Sequence, residues 1–166
     1  MFCISIRQPW SECIVRGVKP IEVRTWLPPS KLIGERVAIH AGKVLAKDVP
    51  DNVWEAVGKW GMHELSNIPD PKQWEPEAEV APVGMVPRLG GIIGTAKLAK
   101  AFRFSYAEFK ELQEKHLNPL SWYGDGLCGW EFSEPVRFER IIPCNGQLRF
   151  WELDETIEGR VKAALL

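Results

Sequence analysis

The sequence predicts an α+β fold in which a small mixed β-barrel is flanked by three to four helices. Short runs rich in β-branched and aromatic residues recur along the chain, and glycine and proline turns separate them. Two or three helical stretches interrupt these runs without the regular alternation that a doubly wound parallel sheet requires. A length of 166 residues, with 45% hydrophobic and 26% charged residues, suits one globular domain.

The first elements are predicted to form a strand–helix–strand unit. Phe2 to Ser5 is typical of a short strand. Trp10, Cys13 and Ile14 have the i, i+3, i+4 spacing of a helix, and Gly17 is well placed to end it. Two further strands are predicted in this part of the chain, Ile21–Trp26 and Arg36–His40.

The second half of the chain is predicted to hold the longest strand, from Gly90 to Phe104. Gly94 within it indicates a bulge or a close approach of another backbone, which suits a barrel. Ser105 and Glu108 form a capping box that opens a helix, and Asp154 is placed to cap a last helix. The remaining predicted strands are Cys128–Phe132, Val136–Ile142 and Phe150–Leu153, with Pro135 between the first two.

We expect a single domain over residues 1–154, followed by a C-terminal helix over residues 155–166. Residues 48–88 are expected to form a long irregular insertion in this domain. Within it, residues 62–88 contain five prolines and no apolar periodicity.

The charge of the chain is small overall but unevenly distributed. The net charge is −1. Residues 1–47 hold 8 Lys/Arg against 3 acids, residues 48–87 hold 2 against 8, and residues 88–166 hold 11 of each. A protein that coats duplex DNA through charge alone should be basic throughout. The sequence therefore favours a local basic site in the first third of the chain.

Composition also bears on location and cofactors. No run of about 18 apolar residues predicts a membrane span, and the first residues lack a signal-peptide pattern. Cys3, Cys13, Cys128 and Cys144 show neither a C-x-x-C pair nor zinc spacing, and reduced thiols in the cytoplasm account for them most simply. We expect a cytoplasmic protein with no membrane partner, no metal and no cofactor; protein partners stay open.

The candidate site is centred on one face of the predicted strand Ile21–Trp26. At a period of two residues, Glu22, Arg24 and Trp26 share this face. Same-face neighbours lie roughly 7 Å apart, so one small ligand could touch both charged groups. Lys19 stands at the entrance of the strand. The alternative is an ordinary charge pair on a wet strand face, which would contribute little.

Two neighbouring segments are expected to complete the site. The turn before the first helix carries polar and basic side chains, and the third strand ends in a histidine followed by a glycine turn. Such a turn can present backbone N–H groups to an anion, although an ordinary turn and a hydrogen-bonded histidine are the alternatives. The predicted ligand-binding residues are Ser5, Arg7, Gln8, Trp10, Lys19, Glu22, Arg24, Trp26, His40, Gly42 and Lys43.

Several motifs together resemble the signature of the ASCH domain family, which has the PUA-like superfold. The segment Ser5-Ile6-Arg7-Gln8-Pro9-Trp10 is followed by the spacing G-x-K-x-x-E-x-R, formed here by Gly17, Lys19, Glu22 and Arg24. Further matching segments are Ile39–Lys43, Gly129–Phe132, Ile142–Gln147 and Phe150–Leu153, so the likeness covers most of residues 2–154.

The resemblance implies a PUA-like pseudobarrel with a cleft lined by Lys19, Glu22 and Arg24. PUA-like domains often bind RNA or modified bases, so RNA, a nucleotide or a modified nucleoside is the implied ligand. Members of the family are also linked to ribonuclease activity and to removal of an acyl group from a modified cytidine. In the deacylase pattern a Thr follows the Lys by three positions. Glu22 occupies that position here, and the central strand lacks the acid of the pattern.

Two classes of function follow, and a scaffold domain without a ligand is a third alternative. As a binding module, the basic side chains would contact phosphate. Gln8 or Glu22 would read a base edge, and Trp10 or Trp26 would stack on a base.

The other class is a hydrolase acting on RNA, as a ribonuclease, or on a modified nucleoside, as an amidohydrolase. Lys19 and Glu22 would then be the catalytic pair for proton transfer, with His40 as a substitute. Arg24 would stabilise the developing negative charge.

Overall fold

A computed structural model describes the chain over residues 1–53 and 88–166. The described strands are β1 (Phe2–Ile6), β2 (Ile21–Arg24), β3 (Arg36–Ala41), β4 (Gly91–Arg103), β5 (Cys128–Pro143) and β6 (Phe150–Glu152). The α-helices that lie wholly within these ranges are α1 (Trp10–Val15), α2 (Tyr106–Glu111), α3 (Gln113–His116) and α4 (Glu155–Ala163). None of the described helices has the length and apolar character needed to cross a membrane.

The predicted insertion over residues 48–88 lies mostly outside the described residues, which omit 54–87. Its irregular character therefore stays a prediction. The limits proposed for the domain, 1–154, and for the C-terminal helix, 155–166, also stay predictions.

The strands form one mixed sheet in the order β2-β5-β4-β3-β1-β6. β1 pairs with β3 in parallel, and the other neighbouring pairs are antiparallel. The parallel pair needs a crossover, and α1 with β2 supplies the intervening chain. The predicted α+β class is confirmed.

The two edge strands, β2 and β6, approach through side chains, with no backbone ladder between them in the described residues. Arg24 Nη2 donates to the carbonyl oxygen of Ser5 on β1 at 3.3 Å. The Trp26 ring lies edge-on to Phe150 of β6, with centroids 6.2 Å apart. The sheet is thus a pseudobarrel with an open gap, the seam, between β2 on one side and β1 and β6 on the other.

β5 is one long strand, where the sequence predicts two strands separated by Pro135. Proline cannot donate to a ladder, so a break is the ordinary expectation. The register against β4 instead shifts between Thr95 and Lys97, which leaves Glu134 and Pro135 in a bulge. Glu134 has φ +47°. The bulge removes the proline from the ladder without ending the strand.

Local sequence signals set the ends of the helices. α1 ends before Gly17, whose φ of +74° is a conformation that favours glycine. Ser105 caps α2: its side chain accepts from the backbone N–H of Glu108, and the Glu108 carboxylate accepts from the backbone N–H of Ser105. Asp154 caps α4 by accepting from the backbone N–H of Ile157. These predictions are confirmed because capping depends on near neighbours.

The main hydrophobic core holds α1 against the sheet beside the seam. Ile14 and Val15 of α1 pack in one cluster with Ile93 of β4, and all three are at most 2% exposed. Burying such a side chain contributes roughly 1.5–3 kcal/mol. Gly94 permits the close approach, because a Cβ there would lie 2.8 Å from Val15 Cγ1 and 2.2 Å from the carbonyl oxygen of Val136.

Candidate functional site

The structure brings the three charged residues around β2 into one ion-pair row. Glu22 lies in the middle: its Oε2 is 3.5 Å from Lys19 Nζ, and its Oε1 is 3.1 Å from Arg24 Nε. The Glu22 side chain is only 9% exposed. Water and salt therefore screen these contacts less than they would on an open strand face.

Lys19 is the innermost member of the row and is almost completely buried. Its ammonium donates to the carbonyl oxygens of Ile21 at 2.6 Å and His116 at 2.7 Å. Burial lowers the pKa of Lys19, and the charge of Glu22 opposes this shift. An ammonium has three donors, and these two carbonyls and Glu22 account for all of them. Lys19 thus ties β2 to the C-terminal end of α3 and supports Glu22 from behind.

Arg24 is the most exposed member of the row, with 28% of its side chain exposed. Nη2 donates to Ser5, and the guanidinium carbon lies 5.7 Å from the ring centroid of Trp130. Nε is buried and ion-paired with Glu22, although the contact lacks the alignment of a hydrogen bond. No described residue accepts a hydrogen bond from Nη1. The guanidinium is oriented on three sides, and one edge is left for a ligand.

Ser5 connects the row to His40. Its Oγ lies 3.0 Å from His40 Nδ1, and His40 Nε2 lies 3.2 Å from the carbonyl oxygen of Cys144. Because a carbonyl only accepts, we assign the proton to Nε2, and Nδ1 then accepts from the Ser5 hydroxyl. Burial lowers the pKa of His40; the bond to Cys144 opposes this and the charge of Lys43 adds to it. His40 is therefore neutral near pH 7.

The loop between β5 and β6, residues 144–149, covers the Ser5–His40 pair. A Cβ on Gly146 would lie 2.6 Å from Ser5 Oγ and 2.5 Å from His40 Cε1, so the loop approaches more closely than any larger residue would allow. The β5–β6 loop thus forms one wall of the seam.

Gly42 and Lys43 follow β3 at the rim of the seam. The backbone N–H of Gly42 donates to the carbonyl oxygen of Ile6 at 3.0 Å and is therefore engaged within the protein. The exposed Lys43 ammonium donates to Asn145 Oδ1 at 3.4 Å. Arg7 is exposed beside this turn, its Cγ lying 3.9 Å from the Cβ position of Gly42. The turn contributes exposed cations to the rim.

Gln8 and Trp10 make contacts inside the protein. Gln8 is fully buried; its amide nitrogen donates to the carbonyl oxygen of Arg88, and its amide oxygen accepts from a backbone N–H of α1, both at 3.1 Å. The half-buried Trp10 ring lies 5.2 Å from Lys19 Nζ and edge-on to Trp122 at 6.5 Å. The Gln8 amide and the Trp10 ring were predicted to contact a ligand, and in the structure both contact other parts of the protein.

Aromatic rings surround the outer end of the seam. Half-buried Trp26 lies edge-on to Trp130, with centroids 4.5 Å apart, and Trp130 Nε1 donates to the carbonyl oxygen of Trp26 at 3.0 Å. Trp130 also stacks on Phe150 at 5.3 Å. The guanidinium carbon of Arg149 lies 5.6 Å from the Trp26 ring centroid. The seam therefore presents an indole held in place by its neighbours, with a cation above it.

Sequence reasoning missed Arg149, Trp130 and His116 as parts of this site. His116 is fully buried; its Nε2 lies 2.7 Å from the carbonyl oxygen of Phe109, and its Nδ1 accepts from the backbone N–H of Asn118. It is 97 residues from Lys19 in sequence, and no local pattern marks such a contact. Arg149 did carry a signal, since a basic residue beside strand aromatics is a pattern of nucleic-acid contacts.

The groups gathered at the seam suit an anionic ligand that carries a flat ring. Arg24 and Arg149 offer charged N–H donors, Trp26 offers an aromatic surface, and Glu22 is engaged by its two ion pairs. Within the described ranges, no three His, Cys, Asp or Glu side chains come close enough together to hold a metal ion.

A mixed pseudobarrel with a G-x-K-x-x-E-x-R row on β2 is the class of protein that this fold and site define, an ASCH-type domain. The sequence profile of the ASCH domain matches residues 4–142, which is most of the chain. The chain belongs to the ASCH domain family.

The curated relatives include Activating signal cointegrator 1 of Homo sapiens and of Mus musculus, each 22% identical over 165 residues. The alignments cover 99% of this chain and 24% of each relative, so the chain spans about a quarter of their length. Among solved structures, ASCH from Zymomonas mobilis has a TM-score of 0.58 at 12% identity, with 98% of this chain and 93% of that chain covered. A single-residue variant of that protein has a TM-score of 0.57. At such identity the likeness shows the fold alone, and the expected PUA-like fold is confirmed.

Proposed function

We propose that the protein binds RNA or a nucleotide in the seam, and that the seam serves as a cleft lined by Lys19, Glu22 and Arg24. The arrangement of Arg24 carries this proposal. Its guanidinium is oriented by Glu22 and Ser5, yet its Nη1 has no partner among the described residues. A fixed guanidinium with a free edge suits a charge-assisted contact with a phosphate.

Lys19 and Glu22 have positioning roles in this proposal. Because the three donors of Lys19 are engaged, Lys19 holds Glu22 and leaves direct contact with phosphate to Arg24. Glu22 in turn fixes the direction of the Arg24 guanidinium.

The remaining predicted ligand residues divide into rim and wall. Arg7 and Lys43 add positive charge at the rim, and Trp26 offers a surface on which a base stacks, worth roughly 1–3 kcal/mol. The residues proposed to support the walls are Ser5, Gln8, Trp10, His40 and Gly42.

Family membership and cysteine chemistry support the wider proposal. The chain is an ASCH domain, and PUA-like domains often bind RNA. All four cysteines of the chain lie within the described residues and are free thiols, which supports a reducing, cytoplasmic location.

A hydrolase acting on RNA or on a modified nucleoside is the second candidate. The buried Lys19–Glu22 pair favours it, because burial lowers the pKa of Lys19 and such a lysine is suited to proton transfer. Glu22 would serve as the base and Lys19 as the acid. The engaged donors of Lys19 count against this role, since ligand binding would first have to release one of them.

The test is a titration of labelled single-stranded RNA of mixed sequence against wild type, Arg24→Ala and Arg24→Lys. Arg24→Ala should weaken binding by about 1–3 kcal/mol, as loss of a charge-assisted hydrogen bond does. Arg24→Lys should recover little, because an ammonium lacks the planar fork. Arg140→Ala removes another exposed arginine and should bind like wild type.

Equal affinity of wild type and Arg24→Ala would refute the proposal. Cleavage products are followed in the same samples to separate the two candidates. Turnover by wild type that stops in a folded, RNA-binding Glu22→Gln variant would establish the hydrolase instead.

A further inference from the structure

Arg149 is a second cation at the seam whose charge has no partner among the described residues. Its side chain is exposed, and its guanidinium carbon lies 5.6 Å from the ring centroid of Trp26. No described residue forms a hydrogen bond or ion pair with it. All five N–H donors of the guanidinium are therefore available while the cation lies over an indole.

The indole beneath Arg149 is held in place from other directions. The Trp26 ring is T-shaped to Trp130 and to Phe150, with ring centroids 4.5 Å and 6.2 Å apart, and the Trp26 carbonyl oxygen accepts from Trp130 Nε1. A cation held over a restrained ring loses less freedom on binding than one on a free side chain. The Arg149–Trp26 pair is thus built as a fixed surface.

The backbone of Arg149 is a separate observation that points to the same residue. Its φ is +61°, in the left-handed region that residues other than glycine rarely adopt. The residue sits between Leu148, which is 93% exposed, and Phe150 of β6. Strained backbone of this kind clusters at ligand-binding sites. Here it accompanies the placement of the guanidinium over Trp26.

We infer that Arg149 holds a second phosphate, so that the ligand of the seam is a polynucleotide strand and not a free nucleoside or a nucleoside monophosphate. This inference rests on the proposed function, in which Arg24 holds the first phosphate. The two arginines belong to different elements and lie over different rings: Arg24 is on β2, 5.7 Å from the Trp130 ring centroid, and Arg149 is on the β5–β6 loop, 5.6 Å from the Trp26 ring centroid. A nucleoside monophosphate carries one phosphate for these two cations, whereas a strand supplies one to each.

The test compares uridine 5′-monophosphate with a uridine tetranucleotide, on wild type, Arg149→Ala, Arg149→Gly and the control Arg140→Ala. Wild type should bind the tetranucleotide more tightly than the monophosphate. Both Arg149 variants should weaken tetranucleotide binding about tenfold or more, as loss of a hydrogen bond between charged groups does, and leave the monophosphate within about twofold. Arg149→Gly suits the left-handed backbone, so retained thermal stability in this variant shows that lost binding is not lost folding.

Three results would overturn the inference. If the Arg149 variants bind the tetranucleotide like wild type, the inference is wrong. The proposed function still stands in that case if Arg24→Ala loses binding. Equal losses for tetranucleotide and monophosphate would place both arginines on one phosphate. A wild-type protein that binds neither probe would remove the proposed function together with the inference.

Discussion

Glu22 is the central charge of the seam, because its carboxylate pairs with the buried Lys19 on one side and with the partly exposed Arg24 on the other. Strand alternation alone predicted that Glu22 and Arg24 share a face. It did not predict the burial of Lys19, whose partners include a carbonyl oxygen on α3 far along the chain. The periodicity of a strand predicts which way a side chain points. It does not predict which element buries that side chain, because that element can come from a distant part of the sequence.

The coupling between Lys19 and Glu22 leads to a stability prediction. Glu22→Gln should lower the free energy of unfolding by about 3 kcal/mol, because the Lys19 ammonium loses the countercharge beside it. Adding Lys19→Met removes that stranded charge, so the double variant should lose less than the sum of the two single losses. Urea unfolding of the four proteins measures the cycle. Additive losses would show that the pair is not coupled.

At the scale of elements, β4 and β5 show where local patterns succeed and where they fail. Gly94 marked a close backbone approach, and the structure has one because the carbonyl oxygen of Val136 occupies the space of a Cβ. Pro135 marked a strand end, and the structure has a bulge instead. A proline removes one donor, and whether the strand ends or bulges depends on its neighbour, which the local sequence does not specify.

Gly94→Ala should destabilise the protein by about 2 kcal/mol or more, because its Cβ would lie 2.2 Å from the Val136 carbonyl oxygen and 2.8 Å from Val15. Gly124→Ala is the matched control, since no described atom outside its chain neighbours lies within 4 Å of a Cβ there. Its effect should stay within about 0.5 kcal/mol. Thermal or urea unfolding compares the two, and equal effects would contradict the tight packing at Gly94.

At the scale of the whole molecule, the candidate site lies where the sheet of the described strands does not close. The absence of regular βαβ alternation was enough to predict the fold class. The contacts that span the seam, Arg24 to Ser5 and Trp26 to Phe150, join strands that are not paired. Strand patterns predict which residues pair in ladders, so they could not predict the position of Arg149, which belongs to a loop.

The buried histidines make the stability of the whole molecule depend on pH. Burial lowers the pKa of His40 and His116 in the folded protein. As the pH falls below about 6.5, the unfolded chain takes up protons at these positions before the folded chain does, so the free energy of unfolding should decrease. Between pH 7 and 8 these two groups should contribute no change.

Urea unfolding at pH 7.5, 6.5, 5.5 and 5.0 measures this dependence. A His40→Asn variant should show a shallower decrease than wild type below pH 6.5, since one of the two groups is gone. Glu12 titrates in a separate pH range. Its burial opposes ionisation, but the charges of Arg88 and Arg137 outweigh this and lower the pKa of Glu12. The stability that ionised Glu12 contributes is therefore lost only below about pH 4.5. Stability that rises on acidification from pH 6.5 to 5.0 would contradict the neutral, buried state of the histidines.

The central claim, that Arg24 holds a phosphate of RNA, is tested most directly by the salt dependence of binding. Affinity for single-stranded RNA should fall with salt, and a plot of log K against log salt should have a slope of about −0.7 for each phosphate neutralised. Arg24→Ala should make this slope shallower by about 0.7, whereas Arg140→Ala should leave it unchanged. Wild type and Arg24→Ala with the same slope would contradict a phosphate contact at Arg24.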